Sequence, residues 1–509
     1  MTPELVWFKR DLRVADHSPL VAAAKRGPVL CLYIYEPDII RGEDFSRRHL
    51  LFINDSLRNL DTALRERGTR LLIRSGDAVS VLAELHRETG FSRIRVHQET
   101  TNSISFERDQ RVLSWANAVG VDVVEYLQQG VVRRLRSRNG WAKQWQEFVA
   151  SPLVSAPGVL TDASVSLSSE PLRDAADFKL ENDGLVERQA GGETQGNRVL
   201  RDFLKTRSRD YTAGLSSPGL AWDACSRISA YLAYGNLSLR SVYQQVVARR
   251  RDLQRSRGIN DAWSKNLGAF EERLAWHCHF IQKLEDEPRI EFENMNPAFD
   301  GLREGQFDAG RFAAWQAGRT GYPMVDACMR ALIATGWINF RMRAMLVSFS
   351  AHHLWLHWRR PALHLARCFV DYEPGIHYSQ IQMQAGTTGI SALRIYSPIK
   401  QAREQDPEGH FIRRWVPELA QVPLEYIAEP HRMPRDIQVS ADCRIGIDYP
   451  PPIVDHLKAY RVAKQRMQAV RKAAKLSGDS DRVFERHGSR RRQNHRNRMR
   501  GASVSMRRR

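Results

Sequence analysis

The 6 cysteines of this chain never fall in a Cys-x-x-Cys pair. Cys31, Cys225, Cys278, Cys328, Cys368 and Cys443 are scattered, which argues against a disulfide scaffold, a zinc ribbon or an iron–sulfur site. Buried, reduced thiols are the expectation. Long apolar runs are missing too. The best candidate, 345–358, is interrupted by His352, His353 and His357 and is shorter than the ~20 residues a membrane helix needs, so no membrane partner is expected. The opening MTPELVWFKRDLR puts charges where a secretion signal would carry its apolar core, and the expected location is cytoplasmic. Nor does a G-x-G-x-x-G or Walker sequence follow the first strand. Lys9-Arg10-Asp11-Leu12-Arg13 stands there instead, so backbone amides cradling a phosphate are not predicted at that turn.

Acidic residues are in deficit, and the deficit is local. Over 509 residues 77 Lys+Arg face 58 Asp+Glu, a formal charge of +19. Residues 461–509 alone hold 17 Lys/Arg against 3 Asp/Glu, which leaves only +5 for 1–460. The charge therefore points to a basic tail able to contact nucleic acid or another acidic partner, and says little about the body. At 42% hydrophobic and 27% charged, that body has the make-up of a globular chain with ample core, which excludes wholesale disorder and collagen-like structure.

Short β-branched runs at Glu4–Phe8, Val29–Tyr35, 70–74, 93–98 and 121–126 alternate with segments long enough for crossover helices. This predicts a doubly wound parallel α/β sheet over 1–135. Leu50, Ile53, Leu57, Leu60 and Leu64 recur at steps of three and four, one helical face that should cover the sheet. Residues 136–200, Ser-, Pro- and Gly-rich from 151, read as a connector. From 201 to 475 the pattern is mainly α-helical, with helices expected around 199–204, 225–234, 238–249, 267–284, 312–316, Pro323–Thr335 and 341–358. The tail 476–509 offers little to bury and is expected to be disordered when free.

Three separated blocks then carry a resemblance: LVWFKRDLRVADHSPL (5–20), TGYPMVDACMRALIATGWINFRMRAMLVSF (320–349), and RIYSPIKQ with DPEGHFIRRWVPEL (within 394–419). Together with the order α/β domain, connector, helical domain, they resemble the photolyase/cryptochrome family. The resemblance implies FAD in the helical domain and, often in this family, a second antenna chromophore in the α/β domain, whose identity the residues leave open. A dinucleotide held without a glycine-rich loop needs hydroxyls, arginines and helix N-termini around one cavity. Cys225-Ser226-Arg227-Ile228-Ser229 resembles the family's phosphate-binding segment, with Cys225 in place of its first hydroxyl; the plainer alternative is that Ser226 and Ser229 only cap a helix. Tyr211, followed by Pro218, resembles its phosphate-binding tyrosine. Arg341 and Arg343 resemble the arginines beside the flavin, and Asp371 and Glu373 in the Phe369-Val370-Asp371-Tyr372-Glu373 run resemble the acids that face them; Tyr372 is grouped with the same site. Arg343 is expected with Asp371, a pairing whose loss typically costs ~3–5 kcal/mol when buried.

Trp276 matches the lesion-facing tryptophan and Trp358 an intermediate electron-transfer tryptophan, each with the alternative of a core residue. The departures gather where chemistry would occur. Arg273 replaces the lesion-binding Glu, His277 its neighbouring Arg, Phe340 an Asn and Ala344 a Met. Two alignments put either Gly375 or His377 opposite the flavin's reactive nitrogen, and leave Ser379 or Ile381 where the flavin-proximal Trp is usual. Trp315, or Tyr378 and Tyr396, could carry electrons instead. His277 is the candidate proton donor to a damaged base, which would suit a (6-4) lesion; a metal site built from His277, His279, His352 and His353 is disfavoured because they do not share one helical face. The expected function is light-driven, FAD-dependent repair of damaged DNA by a monomeric lyase. The alternatives are a cryptochrome-like photoreceptor and a nucleic-acid-binding protein with a structural flavin.

Overall fold

The computed structural model describes residues 2–258, 261–305 and 307–488. Five strands, β1 (Glu4–Phe8), β2 (Val29–Tyr35), β3 (Leu71–Ser75), β4 (Arg93–His97) and β5 (Asp122–Tyr126), form one sheet in the order β3-β2-β1-β4-β5. Every pairing is parallel, with Leu5 opposite Leu30 and Ile94. All residues of β1 and β2 are buried, as a sheet covered on both faces requires. The strands fall within one residue of their expected places, because short β-branched runs bounded by polar turns leave little freedom. Helix Arg47–Arg65 buries Leu50, Ile53, Leu57, Leu60 and Leu64, the face read from the sequence.

The helical layer is welded to the sheet rather than tethered to it. One apolar core runs from Val6 and Phe8 through Phe203 and Tyr231 to Leu274 and Ile281; a second, formed by the later helices and the loops between them, surrounds Trp315, Met342 and Trp358. At the seam a Cβ on Gly235 would meet Arg10 O at 2.2 Å, and Gly235 has φ +63°, so only glycine lets this turn lie against the loop after β1.

Three expectations are corrected. Residues 341–358 are not one helix: Phe340–Ser348 gives way to a π turn at Phe349–His353, Trp355 takes φ +56°, and a new helix, Arg359–Cys368, begins. Pro361 in the first turn of that helix could not sit inside a continuous one. The 136–200 stretch contains helix Trp141–Ala150, anchored by buried Trp141 and Trp145, and the start of Glu193–Lys205. The tail is not wholly without structure: Asp479–His487 is a helix whose Val483 packs with Leu284, Ile290 and Met295, while buried His487 contacts Glu287. Residues 489–509 lie outside the described residues. Among the described residues no helix is long and apolar enough to cross a membrane.

Candidate functional site

Three helices and two loops enclose a cavity of about 290 Å³ in the helical layer. Helix Ala262–Asp286 turns Arg273, Leu274, Trp276, His277 and Phe280 toward it, a face spaced at three and four residues. Helix Phe340–Ser348 adds Phe340, Arg343, Ala344 and Val347, and helix Pro374–Ala385 adds Ile376, His377, Gln380, Ile381 and Gln384. The 371–373 loop and the 225–229 segment close the remaining sides, with Tyr211. Tyr211, Cys225, Ser226, Arg227, Ile228, Ser229, Arg343, Asp371, Tyr372, Glu373, Trp276 and His277, drawn from distant parts of the sequence, thus meet around one space. Arg341 and Trp358 do not line it. Arg341 donates its backbone N–H to Leu215 O at 3.2 Å, and Trp358, 1% exposed, donates Nε1–H to Asn294 Oδ1 at 2.8 Å.

The expected Arg343–Asp371 pair is bidentate. Nη1 and Nη2 donate to the two carboxylate oxygens at 3.0 and 2.9 Å, while Nε donates to Ile338 O at 2.8 Å and the guanidinium lies 4.1 Å from the Phe369 ring. A planar fork held along its edges, with a ring against one face, is fixed in orientation. Glu373 does not face either of these arginines. Its cation is Arg10, from the loop after β1, at 3.4 Å; Arg10 also donates to Ala233 O and Tyr372 O. Burial pushes the Glu373 carboxyl up to about 7 against the pull of Arg10, and its Oε1 has no partner.

Helix Ser229–Ala233 has no side-chain cap bond at its N-terminus, so capping does not account for Ser226 and Ser229. Arg227 takes φ +54°, with its guanidinium 4.5 Å over Trp222 and its Nε buried without a partner. Strain and an orphaned donor in a cavity wall suit a site completed by a ligand. The walls are otherwise largely apolar, with Leu232, Phe270, Trp337, Ile338 and Phe369 among them. Broad apolar walls, hydroxyls and guanidinium groups in the lining, and Glu373 Oε1 and Arg227 Nε without hydrogen-bond partners fit a flavin dinucleotide.

At the mouth Trp276 is 39% exposed. Arg273 lies 4.5 Å from both the Trp276 and the Phe340 rings, so the two residues that depart from the family pattern form one stack. His277 lines the cavity, but burial and the nearby Arg10 charge pull its pKa down to about 4; it is a neutral imidazole at neutral pH, not the near-neutral acid expected from its unperturbed value. Of the two residues expected opposite the flavin nitrogen, Gly375 is where two helices touch, a Cβ there standing 2.6 Å from Ile281 Cα, while His377 lines the cavity and hydrogen-bonds Ala362 O at 2.9 Å. Likewise Ile381 lines the cavity and Ser379 is buried beside Phe280 O.

Sequence reasoning missed Arg10, Gln380 and Gln384. Only Arg10 left a signal, in the block that carries the resemblance. Among the described residues one group could converge on a metal: Asp11, His17 and His97. Asp11 Oδ2 is 2.8 Å from both imidazoles, and His17 Nδ1 accepts the Leu20 N–H, so these groups already satisfy one another.

Comparison with known proteins agrees with this geometry. The family described as "DNA photolyase" matches residues 4–140, and "FAD binding domain of DNA photolyase" matches 270–469. A deoxyribodipyrimidine photo-lyase of Streptomyces griseus is 30% identical over 90% of this chain and 98% of its own length. Cryptochrome-1 of Arabidopsis thaliana is 29% identical over 89% of this chain and 69% of its own. Among solved structures, a bacterial class III photolyase from Agrobacterium tumefaciens superposes with a TM-score of 0.80 at 29% identity, covering 93% of this chain and 98% of that one. The five-stranded parallel domain, the helical layer with its ligand-sized cavity and these full-length similarities lead to one conclusion: the chain belongs to the photolyase/cryptochrome family.

Proposed function

We propose that this protein is a light-driven DNA photolyase that binds FAD in the helical cavity and acts on UV-induced pyrimidine lesions. The observation that carries the reading is a cavity joining an orphaned, strained Arg227 and the locked Arg343–Asp371 pair to a half-exposed tryptophan at its mouth. The bound flavin would supply electron donation to the lesion after absorbing blue light. The chain's own part is binding and orientation. Ser226, Arg227 and Ser229 would take the pyrophosphate side, and Arg343, fixed by Asp371, would face the isoalloxazine. Trp276 offers a surface on which an extruded base can stack. The Arg273 guanidinium, 4.5 Å from each of two rings, would offer N–H groups to base carbonyls or phosphate. His277, neutral and partly buried, can donate one N–H to a lesion while its ring helps exclude water.

The test is repair under blue light of oligonucleotides carrying a cyclobutane dimer or a (6-4) product, followed by chromatography of the lesion. Light-dependent loss of one lesion is expected. Stoichiometric bound FAD with no turnover of either would overturn repair and favour the cryptochrome-like reading, whose support is the Arg273–Phe340 stack in place of the family's carboxylate and amide.

A further inference from the structure

Two deeply buried arginines of this chain have very different surroundings. Arg48, 1% exposed, donates to Asp183 Oδ2 and to the carbonyls of Asp183, Leu332, Ile333 and Cys368. Arg303, 2% exposed, has Nη2 3.3 Å from His352 Nδ1 and 3.2 Å from Met467 Sδ, and its Nε has no partner. His352 donates Nε2–H to Gln384 O at 3.1 Å, so Nδ1 is the acceptor of a neutral ring, kept neutral by burial. Among the described residues no carboxylate pairs with the Arg303 guanidinium; Glu304 accepts its backbone N–H at 2.8 Å instead. Burial lowers the Arg303 pKa to about 10, so it is still a cation at neutral pH. A buried charge facing a thioether and a neutral ring is costly unless something negative meets it.

The neighbours repeat the imbalance. The Trp355 ring lies 4.5 Å from the Arg303 guanidinium and 5.0 Å from that of exposed Arg466; Trp355 takes φ +56°, and its Nε1 is buried without an acceptor. The turn 386–389 passes beside them: a Cβ on Gly386 would meet Met467 Cε at 2.6 Å and His352 Cε1 at 3.6 Å, and one on Gly389 would meet Asn296 Nδ2 at 2.4 Å. Thr388 Oγ1, between these glycines, and Asn296 Nδ2 are likewise buried without partners. Arg303 Nε, Trp355 Nε1, Asn296 Nδ2 and Thr388 Oγ1 can all donate. Donors without acceptors beside a cation without a counter-ion give the shortage a sign, and the sign calls for negative charge.

We propose that Arg303 and Trp355 Nε1 hold a weakly hydrated monovalent anion, chloride or an ion of its kind, where helix His456–Leu476 crosses the π turn Phe349–His353 and the turn 386–389. The charge follows from the site: one buried cation is balanced by one negative charge, and a phosphate dianion would exceed it. The softness follows from the donors. A guanidinium and an indole N–H, bordered by a thioether and ring carbons, are weakly hydrated and compensate poorly for the water that fluoride or sulfate would give up. The π turn continues helix Phe340–Ser348, and the turn 386–389 follows helix Pro374–Ala385, so the anion ties the far ends of two cavity-lining helices to a third. It is a ligand of the fold, and the site is independent of the flavin reading.

Two measurements on the full-length protein test this. In crystals grown with bromide, an anomalous difference map should show a peak within hydrogen-bonding reach of Arg303 Nε and Trp355 Nε1. In solution, replacing gluconate by chloride at constant ionic strength should raise the unfolding midpoint by ~2 °C or more, as a ligand that binds only the folded state must. Bromide should do the same and fluoride should not. Arg303→Met should lose the chloride response. Trp355→Phe, a milder change that keeps a ring, should need about tenfold more chloride for the same rise, the loss of one hydrogen bond to a charged partner. A midpoint indifferent to chloride, or a response that survives unchanged in Arg303→Met or, should that variant not fold, in Trp355→Phe, would overturn the proposal. So would the lack of a bromide peak at this place, and a peak without any response in solution would mean binding at crystal concentration only and would overturn it as well.

Discussion

Glu373 sits 3.4 Å from Arg10 yet keeps Oε1 without a partner, and burial holds its pKa at about 7. In the unfolded chain its carboxyl titrates near 4.5. A folded pKa raised above the unfolded one means a contribution fully present below about 4.5 and lost as pH rises through about 7. The protein should therefore lose up to ~3 kcal/mol between these limits relative to Glu373→Gln, which keeps the shape and cannot ionise. Urea unfolding of both proteins at pH 5 and pH 7.5 checks this, and parallel curves would refute it. The same residues show what spacing can and cannot reveal. Arg343 and Asp371 could be paired because the motif containing each is long and ordered. Arg10 could not be assigned to Glu373: 363 positions separate them, and the contact exists only because the turn at Gly235 closes on the loop after β1.

At the level of elements, strands were legible and long helical runs less so. A buried parallel strand is short and apolar throughout, so its ends are marked by the first polar residues. The 341–358 run has helical composition, yet the π turn at Phe349–His353 and the positive φ at Trp355 break it, and composition carries neither. Close helix approach is also invisible until the partner is known. Gly375 looks in sequence like a candidate beside the cofactor, whereas in the fold it lets helix Pro374–Ala385 lie on helix Ala262–Asp286, with no room for a Cβ beside Ile281 Cα. Gly375→Val should force these helices apart, costing on the order of 1–3 kcal/mol. Because both helices line the cavity, flavin retention should fall with the unfolding midpoint. A variant with wild-type stability and full flavin occupancy would contradict this packing.

On the scale of the whole molecule, the basic charge is concentrated after Gly488. The helix Asp479–His487 belongs to the body: Val483 fills an apolar cluster and His487 meets Glu287. Beyond it, residues 489–509 carry 9 arginines and no acid. A segment of that composition binds polyanions by displacing counterions, at a strength that falls with salt and ignores sequence and damage. The cavity mouth, with Arg273 between Trp276 and Phe340, is where a lesion could be told from an intact base. Truncation after Gly488 should therefore weaken binding to undamaged duplex DNA and flatten the dependence of log affinity on log salt, while the ratio of damaged to undamaged affinity stays the same. Filter binding or fluorescence anisotropy over a salt series measures both. If the ratio collapsed together with the overall affinity, lesion preference would reside in the tail, and the protein would be an electrostatic nucleic-acid binder with a structural flavin. Truncation before Asp479 is a different perturbation: it uncovers Leu284, Ile290 and Met295 and removes the Glu287 contact, so it should lower the unfolding midpoint as well. The two cuts separate what the tail's charge does from what its first helix holds in place.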